Sequence, residues 1–376
     1  MKIGLVYSDV FEGGGYPRDV RWLAGALQRN RVEVTLFGHN ISRKNEDGLV
    51  DGIKFVPMRK LRDGCSSLDL IHIFGVFILN HPLAAVRSLA KSVPVVVSPM
   101  AHLMPNLMAV NRLKKYVFLK LAWAQLFKKV SAFHVFSEIE ARSVRKFDKH
   151  VDLFEGTSGV FPCADRNGSP NRVNRIGSAR QLLFFGRNDV YQKGLDFLIE
   201  GFAKAVNKSP RPHHPIKLRI VGQPWGGSTP YLRKTIRQLG IEELVEIIGP
   251  VDEASKWHIL SQADYLVFLS RFDGPPRPIR EAIVAGLPVL VSPESNMGNL
   301  VEQFGAGLQV PLEVNAIANA IARTADDEDL LARSRVGAAA LRAHLDWARV
   351  AQDYISGYEG VLRRRRSDEA VRVLSE

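Results

Sequence analysis

The chain has 376 residues, 46% of them hydrophobic and 24% charged, which excludes a fibrous protein and a wholly disordered one. Because a single hydrophobic core stops growing near roughly 250–300 residues, this length favours two domains. The 51 basic residues exceed the 39 acidic ones to give a formal net charge of +12, which favours a polyanionic partner such as a phosphorylated small molecule, an anionic membrane or a nucleic acid.

The apolar runs, the N-terminus and the cysteine count of the sequence favour a cytoplasmic protein. There is no uncharged apolar run of about 18 residues, so we expect no membrane-spanning helix. The apolar run at the N-terminus is too short for the core of a secretory signal. Cys65 and Cys163 are the only cysteines, which excludes a disulfide scaffold and a multi-cysteine metal site.

Short β-branched runs alternate with helical stretches in both halves of the chain. Strands are predicted at Lys2–Tyr7, Val32–Phe37, Leu70–Phe74, Val93–Val97, Ala132–Phe136, Leu182–Phe185, Lys217–Val221, Val245–Ile248, Tyr265–Leu269 and Val289–Val291. Helices are predicted at Arg18–Gln28, Gly194–Val206, Thr229–Leu239, Ala254–Ser261 and Arg280–Ala285. This alternation is typical of doubly wound parallel sheets, whose ligands bind in loops at the carboxyl ends of the strands.

A polar run with Gly and Pro, Ala164–Arg172, predicts a linker between the two halves. We therefore predict one domain over residues 1–165 and a second over 175–345. The last stretch, 346–376, is predicted to be a helix that packs back on the first domain, because its apolar stripe must be covered. The stripe consists of Trp347, Val350, Tyr354, Tyr358 and Leu362.

Three loops that follow predicted strands carry residues suited to a phosphate-bearing ligand. The first contains Gly13, Gly14 and Gly15 just before a helix N-terminus, although a flexible turn explains it equally well. It lacks the dinucleotide G-x-G-x-x-G spacing, which disfavours a nicotinamide or flavin site.

The second loop places Arg187 after a strand and Lys193 at the start of the next helix, a pair of cations suited to a phosphate chain. The alternative is two ordinary surface cations. The third loop contains Asp273, and Glu281 follows early in the next helix. These carboxylates suit the hydroxyls of a sugar and a ribose, and the alternative for the second is a helix cap.

Together the three loops resemble the retaining glycosyltransferases of family 4, over nearly the whole chain and most strongly from Leu182 to Val310. That family has two glutamates eight positions apart; here Asp273 stands at the first position and Glu281 matches the second. The resemblance implies an α/β architecture of GT-B type, with two Rossmann-like doubly wound domains facing a central cleft. The N-terminal domain would bind the acceptor and the C-terminal domain the nucleotide sugar.

The resemblance also implies the roles of individual residues. Arg187 and Lys193 would hold the donor diphosphate, Glu281 the ribose and Asp273 the hydroxyls of the transferred sugar. The other donor-binding residues implied are Gly274, which leaves space for the sugar, Pro250 and Val251 beside the base, Gly298 and Asn299 at a family Gly-Glu pair, and Gly14 and Gly15 at the paired glycines.

The histidines match the family pattern less directly than the residues above do. In the family a histidine or arginine follows a Ser-Pro pair, but here Met100 follows Ser98-Pro99 and His102 comes two residues later. His102 is therefore the candidate for a catalytic contact with the donor sugar. His72 also matches a family position, and we expect it to be a structural histidine.

We expect a reaction that needs neither a metal nor another cofactor, because no Asp-x-Asp triad follows a strand. The acidic run Asp326–Asp329 is better explained as compensation of a helix dipole. The family implies a front-face transfer with retention at the anomeric carbon. Asp273 and Glu281 are assigned to separate parts of the donor, which disfavours the two-carboxylate scheme of a hydrolase.

The acceptor is expected to be lipid-linked or an oligosaccharide, as in polysaccharide or glycolipid assembly. No acid occurs between Asp69 and Glu138, and Asn111–Val130 predicts an amphipathic basic helix. That helix suits an anionic membrane surface on the inner face, although its apolar stripe can equally be core. The alternatives are a nucleotide-sugar 2-epimerase of the same fold, disfavoured by the two-acid motif, and a nucleic-acid-binding protein, which lacks a reader motif.

Overall fold

The computed structural model describes residues 1–9, 15–39, 48–160, 179–208 and 215–375. Gly14, Cys163 and the predicted linker at Ala164–Arg172 lie outside the described residues. The chain divides into two compact units: the first comprises Met1–Gly159 and Leu345–Glu376, and the second comprises Val160–His344.

The described part of the chain contains strands β1 to β14 and α-helices α1 to α16. The strands are β1 Lys2–Asp9, β2 Glu33–His39, β3 Gly48–Val50, β4 Ile53–Pro57, β5 Leu70–Phe74, β6 Val95–Ser98, β7 Ala132–Val135, β8 Leu153–Glu155, β9 Arg180–Phe185, β10 Ile216–Val221, β11 Val245–Ile248, β12 Tyr265–Phe268, β13 Val289–Val291 and β14 Gly307–Gln309. The helices are α1 Gly15–Arg29, α2 Leu61–Gly64, α3 His81–Leu89, α4 Pro105–Ala109, α5 Arg112–Phe118, α6 Ala124–Phe127, α7 Glu138–Arg145, α8 Val190–Lys193, α9 Leu195–Lys208, α10 Ser228–Gln238, α11 Glu253–Gln262, α12 Arg277–Val284, α13 Gly298–Gln303, α14 Val314–Asp326, α15 Glu328–His344 and α16 Trp347–Ser375.

The first unit is built on an eight-stranded sheet with the order β3-β4-β2-β1-β5-β6-β7-β8. All its neighbours are parallel except β3, which runs antiparallel to β4. Strand β1 lies between β2 and β5, with Ile3 opposite both Val34 and Leu70. The strand order reverses between β1 and β5, so the loops after these two strands diverge there.

The apolar stripe of α16 belongs to the core of the first unit. Trp347, Val350, Tyr354 and Tyr358 are buried in one cluster with residues of β1, β2 and α1. Helix α16 packs against α1. A helix with apolar residues spaced in this way needs a partner surface, and α1 supplies it.

The second unit has six parallel strands in the order β11-β10-β9-β12-β13-β14. Counted along the chain, this is the 3-2-1-4-5-6 order of a doubly wound nucleotide-binding sheet, and it reverses between β9 and β12. The core strands are apolar because helices cover both of their faces. The prediction of two Rossmann-like, doubly wound α/β units is confirmed.

The segment Asn111–Val130 differs from the single amphipathic helix that its sequence predicts. It contains α5 and α6 with a π-helical turn, Leu119–Trp123, between them. The buried stripe consists of Leu119, Trp123 and Phe127, which pack in the core of the first unit. The predicted apolar stripe is exposed on the other side of the segment; it consists of Leu113, Val117, Leu121 and Ala124.

Candidate active site

Two loops meet at the carboxyl edge of the second sheet, at the point where its strand order reverses. The loop Gly186–Asp189 follows β9, and the loop Leu269–Pro276 follows β12, the neighbouring strand. Because α/β sheets bind ligands outside such a reversal, this edge is the candidate active site of the second unit.

An ion pair joins the two loops. Lys193 Nζ lies 2.5 Å from Asp273 Oδ2, and both side chains are nearly buried. The ammonium group also lies over the ring of Phe268, 5.1 Å from its centroid. Burial raises the pKa of Asp273, and the attraction of Lys193 opposes that rise. The predicted phosphate-binding lysine and the predicted sugar-binding aspartate are thus direct neighbours, although 80 positions separate them in the chain.

Arg271 clamps the β12 loop onto helices α8 and α9. Its guanidinium bonds both oxygens of Asp196, at 2.9 and 2.6 Å, and lies 4.6 Å from the ring centroids of Tyr191 and Phe197. The backbone N–H of Arg271 donates to the carbonyl of Gln192 at 2.8 Å. A bidentate, stacked arginine holds its neighbours in one geometry, so the ends of the two loops are rigidly connected.

Arg187 is the accessible cation of the site. Its Nη2 donates to Gln192 Oε1 at 2.6 Å and lies 3.7 Å from Asp189 Oδ2. Its guanidinium stacks over the ring of Trp225 at 4.4 Å, and 41% of the side chain remains exposed. Sequence reasoning missed Trp225, whose only signal was a tryptophan in a glycine-rich loop after a strand.

Close backbone packing at this edge requires glycine at two positions. A Cβ on Gly222 would lie 1.8 Å from the carbonyl oxygen of Gly186, and a Cβ on Gly194 would lie 2.0 Å from that of Leu269. Both glycines have positive φ, of 147° and 61°. The β9, β10 and β12 loops therefore approach one another more closely than residues with side chains would allow.

Glu281 lies in α12 and is held by two cations. Its Oε1 is 2.7 Å from Lys256 Nζ and 2.8 Å from Arg277 Nε. Lys256 and Glu281 are both buried, and Lys256 also contacts Glu253 at 2.6 Å. Because the N-cap of α12 is Pro276 and no side chain forms a cap hydrogen bond there, the helix-cap alternative for Glu281 is wrong. Sequence reasoning missed both cations, although Arg277 and Glu281 have the four-residue spacing of a helical ion pair.

The segment after β13 supports the backbone of Asp273. Asn296 Nδ2 donates to the carbonyl of Asp273 at 2.5 Å, and the N–H of Asp273 donates to the carbonyl of Glu294 at 3.2 Å. Asn296 is a further residue that sequence reasoning did not find. Gly298 is the first residue of α13, and Asn299 next to it is exposed.

The remaining candidates of the second unit lie nearby in the chain. Gly274 is buried directly after Asp273. Pro250 is exposed and Val251 is half-buried, between β11 and α11. Because α11 carries Lys256, this stretch leads into the helix that contacts Glu281.

Two candidates lie in the first unit. Gly15 is the first residue of α1. His102 follows β6, and its Nδ1 accepts the backbone N–H of Val76 at 3.1 Å. That bond assigns the proton of the neutral ring to Nε2. Burial, with smaller contributions from His81 and Lys115, lowers the pKa of His102 to about 4, so the ring is a neutral hydrogen-bond donor near pH 7.

His72 is buried in a chain of polar side chains inside the first unit. Its Nδ1 lies 2.8 Å from the hydroxyl of Tyr358, and its Nε2 lies 2.7 Å from Ser98 Oγ. Ser98 Oγ also lies 2.6 Å from Nδ1 of His134. Burial keeps the pKa of His72 well below its ordinary value. His72 thus joins α16 to the sheet.

The described ranges contain neither a metal-binding cluster nor a membrane-spanning helix. Among these residues, no group of three or more His, Cys, Asp or Glu side chains is arranged to hold a metal ion. Within the same part of the chain, no helix combines the length and the apolar character that crossing a membrane requires.

Comparison with known proteins identifies relatives of both units. A family model described as glycosyl transferases group 1 matches residues 179–327. A GDP-mannose:cellobiosyl-diphosphopolyprenol alpha-mannosyltransferase from Xanthomonas campestris is 28% identical over 316 residues, which cover 81% of this chain and 78% of that protein.

Solved structures show the same fold at low sequence identity. Sucrose-phosphate synthase from Thermosynechococcus elongatus superposes with a TM-score of 0.69 at 18% identity, covering 96% of this chain and 99% of that one. Anabaena HepE in complex with UDP and glucose gives 0.68 at 19% identity, covering 96% and 100%. With the two sheets and their strand order, these findings give the fold and class: residues 179–327 match the group 1 glycosyl transferases, and the chain is a glycosyltransferase of the GT-B fold.

Proposed function

We propose that the enzyme transfers a hexosyl group from a nucleotide diphosphate sugar to an acceptor hydroxyl, with retention at the anomeric carbon, as in family 4. The observation that supports this proposal most strongly is the ion pair between Lys193 and Asp273. The pair lies beside Arg187, where the second sheet reverses its strand order. The site thus offers cations for a diphosphate and a carboxylate for sugar hydroxyls within one network.

The leaving diphosphate gains negative charge as the glycosidic bond breaks. Arg187 and Lys193 stabilise that charge in this proposal, and each such preorganised donor can contribute several kcal/mol. In the front-face reaction, the acceptor oxygen bonds the anomeric carbon on the face from which the diphosphate leaves. A phosphate oxygen takes the acceptor proton, so no protein base and no metal are required.

The remaining parts of the donor have separate partners in this proposal. Glu281 accepts the ribose hydroxyls, and the base lies against Pro250 and Val251. Asp273 accepts hydroxyls of the transferred sugar, and His102 offers its Nε2–H to a hydroxyl of a sugar substrate. The Xanthomonas relative is named for GDP-mannose as its donor, which supports a nucleotide sugar as the donor class here.

A thermal-shift screen without added metal tests the donor class. We expect one of UDP, GDP, ADP or their sugars to raise the melting temperature, since a ligand at about 100 times its Kd stabilises by roughly 2.7 kcal/mol. CMP serves as a monophosphate control and should give a smaller shift. A flat response to all nucleotides, with a shift on adding oligonucleotides, would contradict the proposal and favour a nucleic-acid-binding protein.

We also propose that the acceptor is lipid-linked and that the first unit meets it at an anionic membrane surface. Leu113 and Leu121 are 76% and 81% exposed, and Tyr116 lies between them with 61% exposed. Exposed cations surround them at Arg112, Lys114, Lys120, Lys128 and Lys129. Exposed apolar side chains within a basic segment are typical of membrane-surface contacts, and each nearby cation adds about 1 kcal/mol of attraction.

Vesicle co-sedimentation tests this contact. We expect binding to vesicles containing phosphatidylglycerol, weakened by salt, and little binding to pure phosphatidylcholine. Leu113→Glu/Leu121→Glu should lower the binding constant at least about tenfold, because two large apolar contacts are lost. Leu49→Glu changes an exposed leucine of β3, outside the basic segment, and should bind as the wild type does. Equal binding by all three proteins would reject the contact.

A further inference from the structure

The loop that carries His102 contains two consecutive residues with left-handed backbone. Met100 has φ of 59° and Ala101 has φ of 63°, and neither is glycine, asparagine or aspartate. Left-handed backbone is unfavourable for residues with a Cβ, and it persists only where the surroundings impose it. Some contact must therefore hold this loop in its observed conformation.

A buried carboxylate supplies that contact. Glu140 lies in α7, fully shielded from solvent, and its Oε1 accepts the backbone N–H of Ala101 at 2.6 Å. Its Oε2 accepts the N–H of Phe136, just past β7, at 2.8 Å. The carboxylate therefore joins the loop after β6 to the end of β7.

The position of Glu140 is itself constrained by its helix. Ser137 caps α7, and its hydroxyl accepts the N–H of Glu140 at 3.3 Å, while the Glu140 carboxylate accepts the N–H of Phe136, the residue before the cap. These two bonds are similar to those of a capping box, and they fix the first turn of α7 and with it the carboxylate. Burial raises the pKa of Glu140 to about 7, against the pull of its two N–H donors. The site thus bears a desolvation cost that an ordinary helix cap avoids.

The residue after the left-handed pair is His102. Its own N–H donates to the carbonyl of Pro99 at 3.1 Å, which closes the turn, and its ring lies 5.6 Å from that of Phe77. The direction of Nε2–H consequently depends on the backbone of Met100 and Ala101. A loop that relaxed to right-handed backbone would turn the imidazole away from its acceptor bond with Val76.

We propose that Glu140 is a positioning residue: by binding the N–H of Ala101, it keeps Met100 and Ala101 left-handed and so aims the Nε2–H of His102. This inference rests on the proposed role of His102 toward a sugar substrate. The family resemblance places no role on Glu140, which lies 38 positions after His102.

Nitrogen NMR of the histidine-labelled full-length protein tests the positioning directly. We expect His102, assigned with His102→Gln, to show the Nε2–H tautomer and to protonate only near pH 4. Glu140→Gln puts an amide NH₂ against one of two N–H donors, so His102 should show mixed tautomers and titrate at higher pH. The two titratable groups that act on His102, His81 and Lys115, are the same in this variant as in the wild type.

Steady-state kinetics and a rescue variant distinguish a positioning role of Glu140 from a role in stabilising the core alone. Glu140→Gln should lower kcat about tenfold or more and leave the affinity for the nucleotide diphosphate unchanged. Adding Ala101→Gly should restore much of the loss, because glycine adopts left-handed backbone without the carboxylate. Glu138→Gln, on the same helix but exposed and paired with Arg145, should behave as the wild type does. If Glu140→Gln does not yield folded protein, Glu140→Asp takes its place, and the same results are expected of it.

Two results would overturn the inference: an unchanged His102 spectrum in a folded Glu140→Gln protein, or a fall in kcat that Ala101→Gly does not relieve. Failure of the proposed function is a different result. In that case the wild type binds no nucleotide diphosphate, while the His102 spectrum still reports whether Glu140 holds the loop.

Discussion

Arg187→Ala should lower kcat/KM about 10²–10³-fold without unfolding the enzyme. The reason is electrostatic, because removing one preorganised donor to a developing charge typically costs about that factor in rate. The side chain is 41% exposed and contacts Trp225 and Gln192, so its loss creates no buried cavity. Initial rates with the donor identified by thermal shift, together with a melting curve, measure both parts of the prediction.

Arg237→Ala is the matched control for this experiment. Arg237 lies in α10 of the same unit, its side chain is 82% exposed, and it forms an ion pair with Glu242 at 4.0 Å. Its removal changes the net charge by the same amount but leaves the loops at the strand reversal intact, so we expect wild-type rates. Arg187→Ala with near-normal kcat/KM would remove Arg187 from the donor site.

Glu281→Ala should destabilise the second unit by about 3–5 kcal/mol, because it leaves the buried ammonium of Lys256 without one of its two carboxylates. For a unit of this size, that corresponds to a fall in melting temperature of about 6–20 °C. Loss of activity in this variant would therefore mix unfolding with loss of the ribose contact. Calorimetric unfolding is the direct measurement.

Two further variants separate those effects. Glu281→Ala/Lys256→Met removes both buried charges and should recover much of the stability, since an apolar pair costs less to bury than a lone cation. Glu281→Gln keeps the shape of the side chain, and it should reduce the preference for ribose over 2′-deoxyribose nucleotides if Glu281 accepts the ribose hydroxyls. A melting temperature of Glu281→Ala within about 2 °C of the wild type would show that the pair contributes little.

The central strands were predictable because burial on both faces leaves an apolar signature. All ten predicted strands are present in the described chain, among them β1, β9 and β12. The strands that were not predicted, β3, β4, β8 and β14, include short ones at the edges of the sheets. Edge strands are only partly covered, so their residues carry a weaker apolar pattern.

The site was only partly predictable, because residues that contact one another there lie far apart in the sequence. Lys193 and Asp273 were each found from local motifs, but only the pairing of β9 with β12 brings them together. Lys256 and Asn296 had no motif, because their roles arise from contacts with Glu281 and Asp273 that no local pattern encodes. The break of Asn111–Val130 into two helices was not predicted, since a π-turn has no clear sequence signal.

The burial of α16 in the first unit has a consequence for biosynthesis. The core around β1 and β2 contains Trp347 and Tyr358, so it cannot close until the last helix leaves the ribosome. The whole second unit, Val160–His344, is synthesised in between, a delay of about 10–40 s at roughly 5–20 residues per second. During that interval the nascent first unit keeps part of its apolar surface uncovered, and the second unit has its complete sequence before the first unit does.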